Sequence, residues 1–204
     1  MHFLPDEKQP KPYYSAVRRF IGVVDIADGL VDITDPGYGK DTCCALFGHK
    51  IKAGKYNCYV NIGNFPSKVK YDKDDIEVKL YGKAPNYTYT LPDKRILDLV
   101  IEHEDIASQY IPSYMGLKGW NLVSDQIGVD AGMCGFYNHK PNFDAEEDWT
   151  NFWQNLKHYP RHKDLTCDIK PYGVTVSSGF GDGCYEVYKF VRNGETVALR
   201  LKFC

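Results

Sequence analysis

Near its end the chain carries two β-prone runs joined by Asn193-Gly194. That dipeptide is the strongest short signal for a two-residue type I′ turn, because both central positions need positive φ. Tyr185 to Arg192 therefore reads as one strand and Thr196 to Phe203 as its antiparallel return. In the return, Val197, Leu199, Leu201 and Phe203 alternate with Ala198, Arg200 and Lys202, the pattern of a strand with one buried face. A hairpin this explicit makes antiparallel sheet the framework into which the remaining segments must fit.

Further strands follow from the same signals. Leu30 to Thr34 alternates and stops at Asp35-Pro36-Gly37-Tyr38-Gly39, so Asp35 closes a strand. Gly54 to Ile62 carries Tyr56, Cys58, Val60 and Ile62 at period two, and Ile76 to Tyr81, Ile96 to Ile101 and Gly173 to Ser177 are further β-prone runs. Helix is expected in three places: Ser15 to Ile21, Glu104 to Tyr110, and above all Ala145 to Lys157. In the last, Trp149, Phe152, Trp153 and Leu156 form one apolar stripe, Asp144 and Glu147 form a capping pair, and Pro160 ends the run. The fold class expected is α+β, dominated by antiparallel β-sheet in a sandwich-like or curled arrangement, with one clear amphipathic helix. Residues 1–14, with Pro5, Pro10 and Pro12, read as an extended arm, and residues 15–204 as a single globular domain.

Composition narrows the function classes. With 25 basic and 27 acidic residues the formal charge is −2, so no global field draws in a phosphate backbone or an anionic membrane surface. The one cationic cluster, Lys157, His158, Arg161, His162 and Lys163, suits the last turn of the preceding helix. Seven cysteines at irregular spacing, including the vicinal Cys43 and Cys44, do not make a disulfide framework. They point to thiols in a reducing, cytoplasmic setting. No run of apolar residues is long enough for a membrane-spanning helix.

Two glycine-aspartate turns carry the candidate chemistry: Val129-Asp130-Ala131-Gly132-Met133-Cys134-Gly135 and Gly179-Phe180-Gly181-Asp182-Gly183. Together with Asp35 they place three aspartates at strand ends beside glycine. Gathered at one sheet rim, Asp35, Asp130 and Asp182, with Gly132, Gly181 and Gly183, would bind a small polar ligand or a divalent cation, Mg²⁺ or Ca²⁺. The competing structural reading is that each aspartate caps its own turn through backbone N–H groups. Cys134, between two glycines, is a candidate nucleophile with His139, His158 or His162 as base, against the commoner fate of a buried inert thiol. His158 and His162 are spaced four apart, but Pro160 between them spoils a shared helical face for zinc. Phosphate-loop, nucleophile-elbow and dinucleotide fingerprints are absent from the sequence.

The run Val176-Ser177-Ser178-Gly179-Phe180-Gly181-Asp182-Gly183-Cys184-Tyr185-Glu186-Val187-Tyr188, with Gly128-Val129-Asp130-Ala131-Gly132 and Asp35-Pro36-Gly37-Tyr38, resembles an uncharacterised bacterial family, domain of unknown function 4241. Glu186 stands where the family pattern often has proline after the tyrosine of Gly-Asp-Gly-x-Tyr. The resemblance implies a shared fold and a shared set of turns, and it transfers no catalytic role. The expectation is a cytoplasmic binding or interaction domain with its pocket at the aspartate-glycine rim and a small polar ligand or protein as partner. Its alternative is a hydrolase, metal-assisted through Asp130 and Asp182 or thiol-dependent through Cys134.

Overall fold

A computed structural model describes residues 13–38, 42–64, 69–70, 88–89, 94–106, 118–139, 166–170 and 172–203. Among these, thirteen strands run in chain order: β1 (Tyr13–Ile26), β2 (Leu30–Thr34), β3 (Leu46–Lys50), β4 (Gly54–Asn64), β5 (Val69–Lys70), β6 (Thr88–Tyr89), β7 (Lys94–His103), β8 (Trp120–Val129), β9 (Met133–Asn138), β10 (Cys167–Lys170), β11 (Gly173–Ser177), β12 (Gly183–Arg192) and β13 (Glu195–Lys202). Six form one sheet in the order β1-β4-β7-β13-β12-β8, five form a second in the order β10-β11-β9-β2-β3, and β5 pairs with β6. Antiparallel pairing joins the neighbours in each sheet.

The α+β expectation is thereby corrected. Among the described residues there is no α-helix, and the single helical element is a 3₁₀ turn at Glu104–Ile106, where a helix to Tyr110 was expected. Ser15 to Ile21, read as helix, lies in β1. Its Arg18-Arg19 pair and the register shift between Phe20 and Gly22 hide the alternation, and pairing along β4 overrides local propensity. The Ala145 to Lys157 helix, the basic cluster beside it and the Ile76 to Tyr81 strand lie outside the described residues. The other strand expectations are found in place, and Asn193 and Gly194 have φ of 52° and 83°, as a type I′ turn requires.

The two sheets face each other across one core. Val24 and Ile26 of β1, Val31 and Ile33 of β2, Tyr56, Cys58 and Val60 of β4, Phe136 of β9, Val174 and Val176 of β11, and Leu199 and Leu201 of β13 belong to a single buried cluster. Each large side chain so buried contributes about 1.5–3 kcal/mol relative to exposure. Because β2, β3, β9 and β11 lie in one sheet and β1, β4, β8 and β12 in the other, the chain crosses between these sheets at β1–β2, β3–β4, β8–β9 and β11–β12. The β8–β9 and β11–β12 crossings carry the two glycine-aspartate turns, while Asp35 lies in the β2–β3 loop within one sheet.

The opposite face of the six-stranded sheet carries a buried polar row. Asp98 on β7 accepts bonds from Arg200 on β13 (Nε 3.0 Å, Nη2 2.9 Å) and from Asn61 on β4, while Glu102 accepts from Arg18 on β1 at 2.7 Å. Burial raises both acids' pKa values, against the lowering pull of these partners. None of the described helices is long and apolar enough to cross a membrane. Phe136, buried in that core, is the most direct test of it: Phe136→Ala should lower the free energy of unfolding by about 3–5 kcal/mol in urea titration.

Candidate functional site

Asp35 sits one residue past β2 and is fully buried. Pro36 follows it and presets the turn, which closes through Tyr38 N–H donating to the Asp35 carbonyl at 3.1 Å. The carboxylate then serves two turns at once. Oδ1 accepts the Gly37 N–H at 2.7 Å, an Asx turn within its own loop. Oδ2 accepts the N–H groups of Asp130 (2.8 Å) and Ala131 (2.7 Å), in the crossing from β8 to β9. Desolvation raises the Asp35 pKa, and the three backbone donors oppose it by favouring the charged form.

The third turn joins the same assembly. Gly132, with φ of +65°, turns the chain into β9 and offers its carbonyl to Ser178 N–H at 3.0 Å. Ser178 Oγ in turn donates to the Gly181 carbonyl at 2.6 Å. The Tyr185 hydroxyl lies between the carbonyls of Ser178 (2.9 Å) and Gly181 (2.7 Å), so the tyrosine of Gly-Asp-Gly-x-Tyr closes its own loop. Arg95 supports it from below, donating to the Gly179 carbonyl at 2.6 Å with its guanidinium 4.5 Å from the Phe180 ring centre. Gly181 and Gly183 flank Asp182, whose Oδ1 is 3.9 Å from the position a Cβ on Gly132 would take.

The structure therefore brings all three turns to one rim, with unlike roles for the three aspartates. Asp35 is an internal clamp. Asp130 is exposed, and its Oδ2 is fixed by the Tyr38 hydroxyl at 2.8 Å. Asp182 is half-exposed beside Gly132. For Asp35 the local-cap reading holds at Oδ1 and not at Oδ2, whose partners are 95 and 96 positions away in sequence. Among the described residues no group of three or more His, Cys, Asp or Glu side chains is placed to hold a metal ion.

Cys134 does not have the surroundings of a nucleophile. It is fully buried, its thiol donates to the Thr34 carbonyl at 3.2 Å, and burial, aided by the Asp35 charge, pushes its pKa up. Its neighbour Gly135 is a packing requirement: a Cβ there would stand 2.0 Å from the Val174 carbonyl oxygen. The six described cysteines, Cys43, Cys44, Cys58, Cys134, Cys167 and Cys184, are free thiols.

His139 has a different partner from the one expected. Its Nδ1 lies 2.7 Å from Asp32 Oδ1, which also accepts the Gly48 N–H at 2.7 Å, tying β2, β3 and the end of β9 together. Period two places Asp32 opposite the core face of β2, but no spacing signal connects it to His139. Tyr38 was likewise visible only as a turn residue; burial and the Asp130 carboxylate raise its pKa. No protein-family model, curated protein or solved structure matches this chain.

Replacing the clamp separates its role from that of the rim acids. Asp35→Asn puts an amide against N–H donors, so stability should fall by roughly 1–3 kcal/mol for each donor left unpaired, whereas Asp182→Asn should change it by less than about 0.5 kcal/mol. The pH dependence has a definite sign. With its folded pKa raised, Asp35 binds more protons folded than unfolded, so its ionisation costs stability near neutrality. The wild-type advantage over Asp35→Asn should grow as pH falls through the raised value and level off below the ordinary 3.8, as read from urea midpoints at several pH values.

Proposed function

We propose that this protein binds a small polar ligand at the rim formed by the three turns. The observation that carries this reading is the division of labour among the aspartates. A buried carboxylate locks the β8–β9 crossing to the β2 loop, and two further carboxylates reach solvent from the joined turns, Asp130 exposed and Asp182 half-exposed beside Gly132. Such a frame holds side chains in place before a ligand arrives, which reduces the ordering cost of binding. The side-chain groups offered are acceptors, so a ligand rich in hydrogen-bond donors fits best, an amine or a polyhydroxyl compound.

The cytoplasmic setting and membership of the resembled family belong to the same proposal. Free thiols at the described cysteines support the first, and the joining of the three motif turns through hydrogen bonds supports the second. Within the hydrolase alternative, the buried Cys134 argues against thiol chemistry. A divalent cation on Asp130 and Asp182 is an arm of the test below.

Calorimetric titration with Mg²⁺, Ca²⁺, spermidine and a polyol panel tests the reading. Wild type should bind at least one amine or polyol, and Asp130→Asn or Asp182→Asn should weaken that binding roughly tenfold, about 1.4 kcal/mol, at unchanged stability. Binding that survives both substitutions would remove the rim as the site, and heat from Mg²⁺ or Ca²⁺ alone would turn the reading to the metal-assisted one.

A further inference from the structure

Beside the rim, a thiol from a turn and a thiol from a strand flank one glycine. Cys44 lies in the turn before β3 and is half-buried; Cys184 is the second residue of β12 and is exposed. Both are free thiols. Gly128 of β8 runs between them. On one side its N–H donates to the Cys44 carbonyl at 2.8 Å, and on the other it stands in register opposite Cys184.

The missing side chain of Gly128 is what admits the Cys44 thiol to this face. A Cβ built there would be 2.7 Å from Cys44 Sγ and 3.0 Å from Cys44 Cβ, so the thiol occupies the space that glycine leaves. Residues directly opposite in an antiparallel pair project to the same face with Cβ atoms about 4.5–5.5 Å apart. Cys184 therefore points to the face where the Cys44 thiol already lies. The two cysteines thus flank Gly128, one on either side of β8, and share one face of the strand.

We propose that Cys44 and Cys184 form a two-thiolate site for a soft monovalent cation of the Cu⁺ type. Thiolates select such cations over Mg²⁺ or Ca²⁺, and Cu⁺ accepts two sulfur ligands in a near-linear arrangement. Each thiol releases its proton to solvent as its sulfur lone pair forms a bond to the cation, and the oxidation state of the metal does not change. The Tyr38 hydroxyl, 3.3 Å from the same Gly128 position, holds the Asp130 carboxylate nearby and so adds negative charge beside the cation. Cys58 and Cys167 compete poorly, because burial pushes each thiol up to about 12. This site adjoins the rim and does not depend on what the rim binds.

The test titrates Ag⁺, a redox-stable stand-in, and Cu⁺ in competition with bicinchoninate, following the sulfur-to-metal charge-transfer absorption. Wild type should take up one equivalent in the tightest step. Cys44→Ser and Cys184→Ser should each weaken that step by more than roughly tenfold, and Cys43→Ser should leave it unchanged. Gly128→Ala keeps both thiols but fills the space that the Cys44 thiol occupies, and should weaken binding as the serine variants do; urea midpoints establish that each variant is folded. Wild-type affinity in Cys184→Ser would overturn the proposal, as would loss of binding in Cys43→Ser, which would assign the ion to the vicinal pair. If Gly128→Ala does not fold, the serine variants decide the matter alone.

Discussion

A buried carboxylate with three backbone donors holds two of this molecule's loops together. Asp35 lies just past β2, in the loop that leads to β3 of the same sheet, and it accepts N–H groups from its own loop and from the turn that carries β8 into β9. A charge taken from water without partners would cost several kcal/mol, and each donor would be similarly orphaned without the charge. Neither loop can adopt its conformation cheaply without the other. The interaction thus fixes the β8–β9 crossing between sheets relative to the β2–β3 loop, something the apolar core, being non-directional, does not specify.

From that joint the constraint spreads by short steps. Ala131 is fixed by Asp35, Gly132 follows it and accepts from Ser178, and Ser178 with Tyr185 ties the third turn shut. The three motifs are therefore successive links in one hydrogen-bonded chain along the rim. Tyr38 extends the chain to the outside by orienting Asp130, and the absence of a side chain at Gly128 admits Cys44 beside it. Side chains that face solvent here rest on groups that do not.

How far this was legible in the sequence depends on whether the signal was local. The Asn193-Gly194 hairpin and the Leu30–Thr34 strand are written in turn chemistry and period two, and both could be read directly. β9 could not: nearly all its residues are buried, so it has no alternation, and its glycine reads as a turn although it is there to let Val174 approach. β1 looked helical because its bulge breaks the period. The same limit applied at the site. The sequence showed that aspartates sit beside glycines at strand ends, and their gathering at one rim was anticipated. That one of them is spent as a clamp on amides 95 and 96 positions away, and that Asp32 pairs with His139, are facts of tertiary contact without a spacing rule.

The ordered rim depends on the Asp35 clamp, and amide hydrogen exchange measures that clamp most directly. Asp130 and Ala131 occupy a turn at the edge of the fold, where exchange would ordinarily be fast. If Asp35 holds their N–H groups, both amides should exchange as slowly as those of the core strand residues Leu199 and Leu201, and Asp35→Asn should release these two before the rest of the sheet. Exchange of Asp130 and Ala131 in the wild type at the rate of the exposed Gly194 turn would contradict the clamp and, with it, the ordered rim.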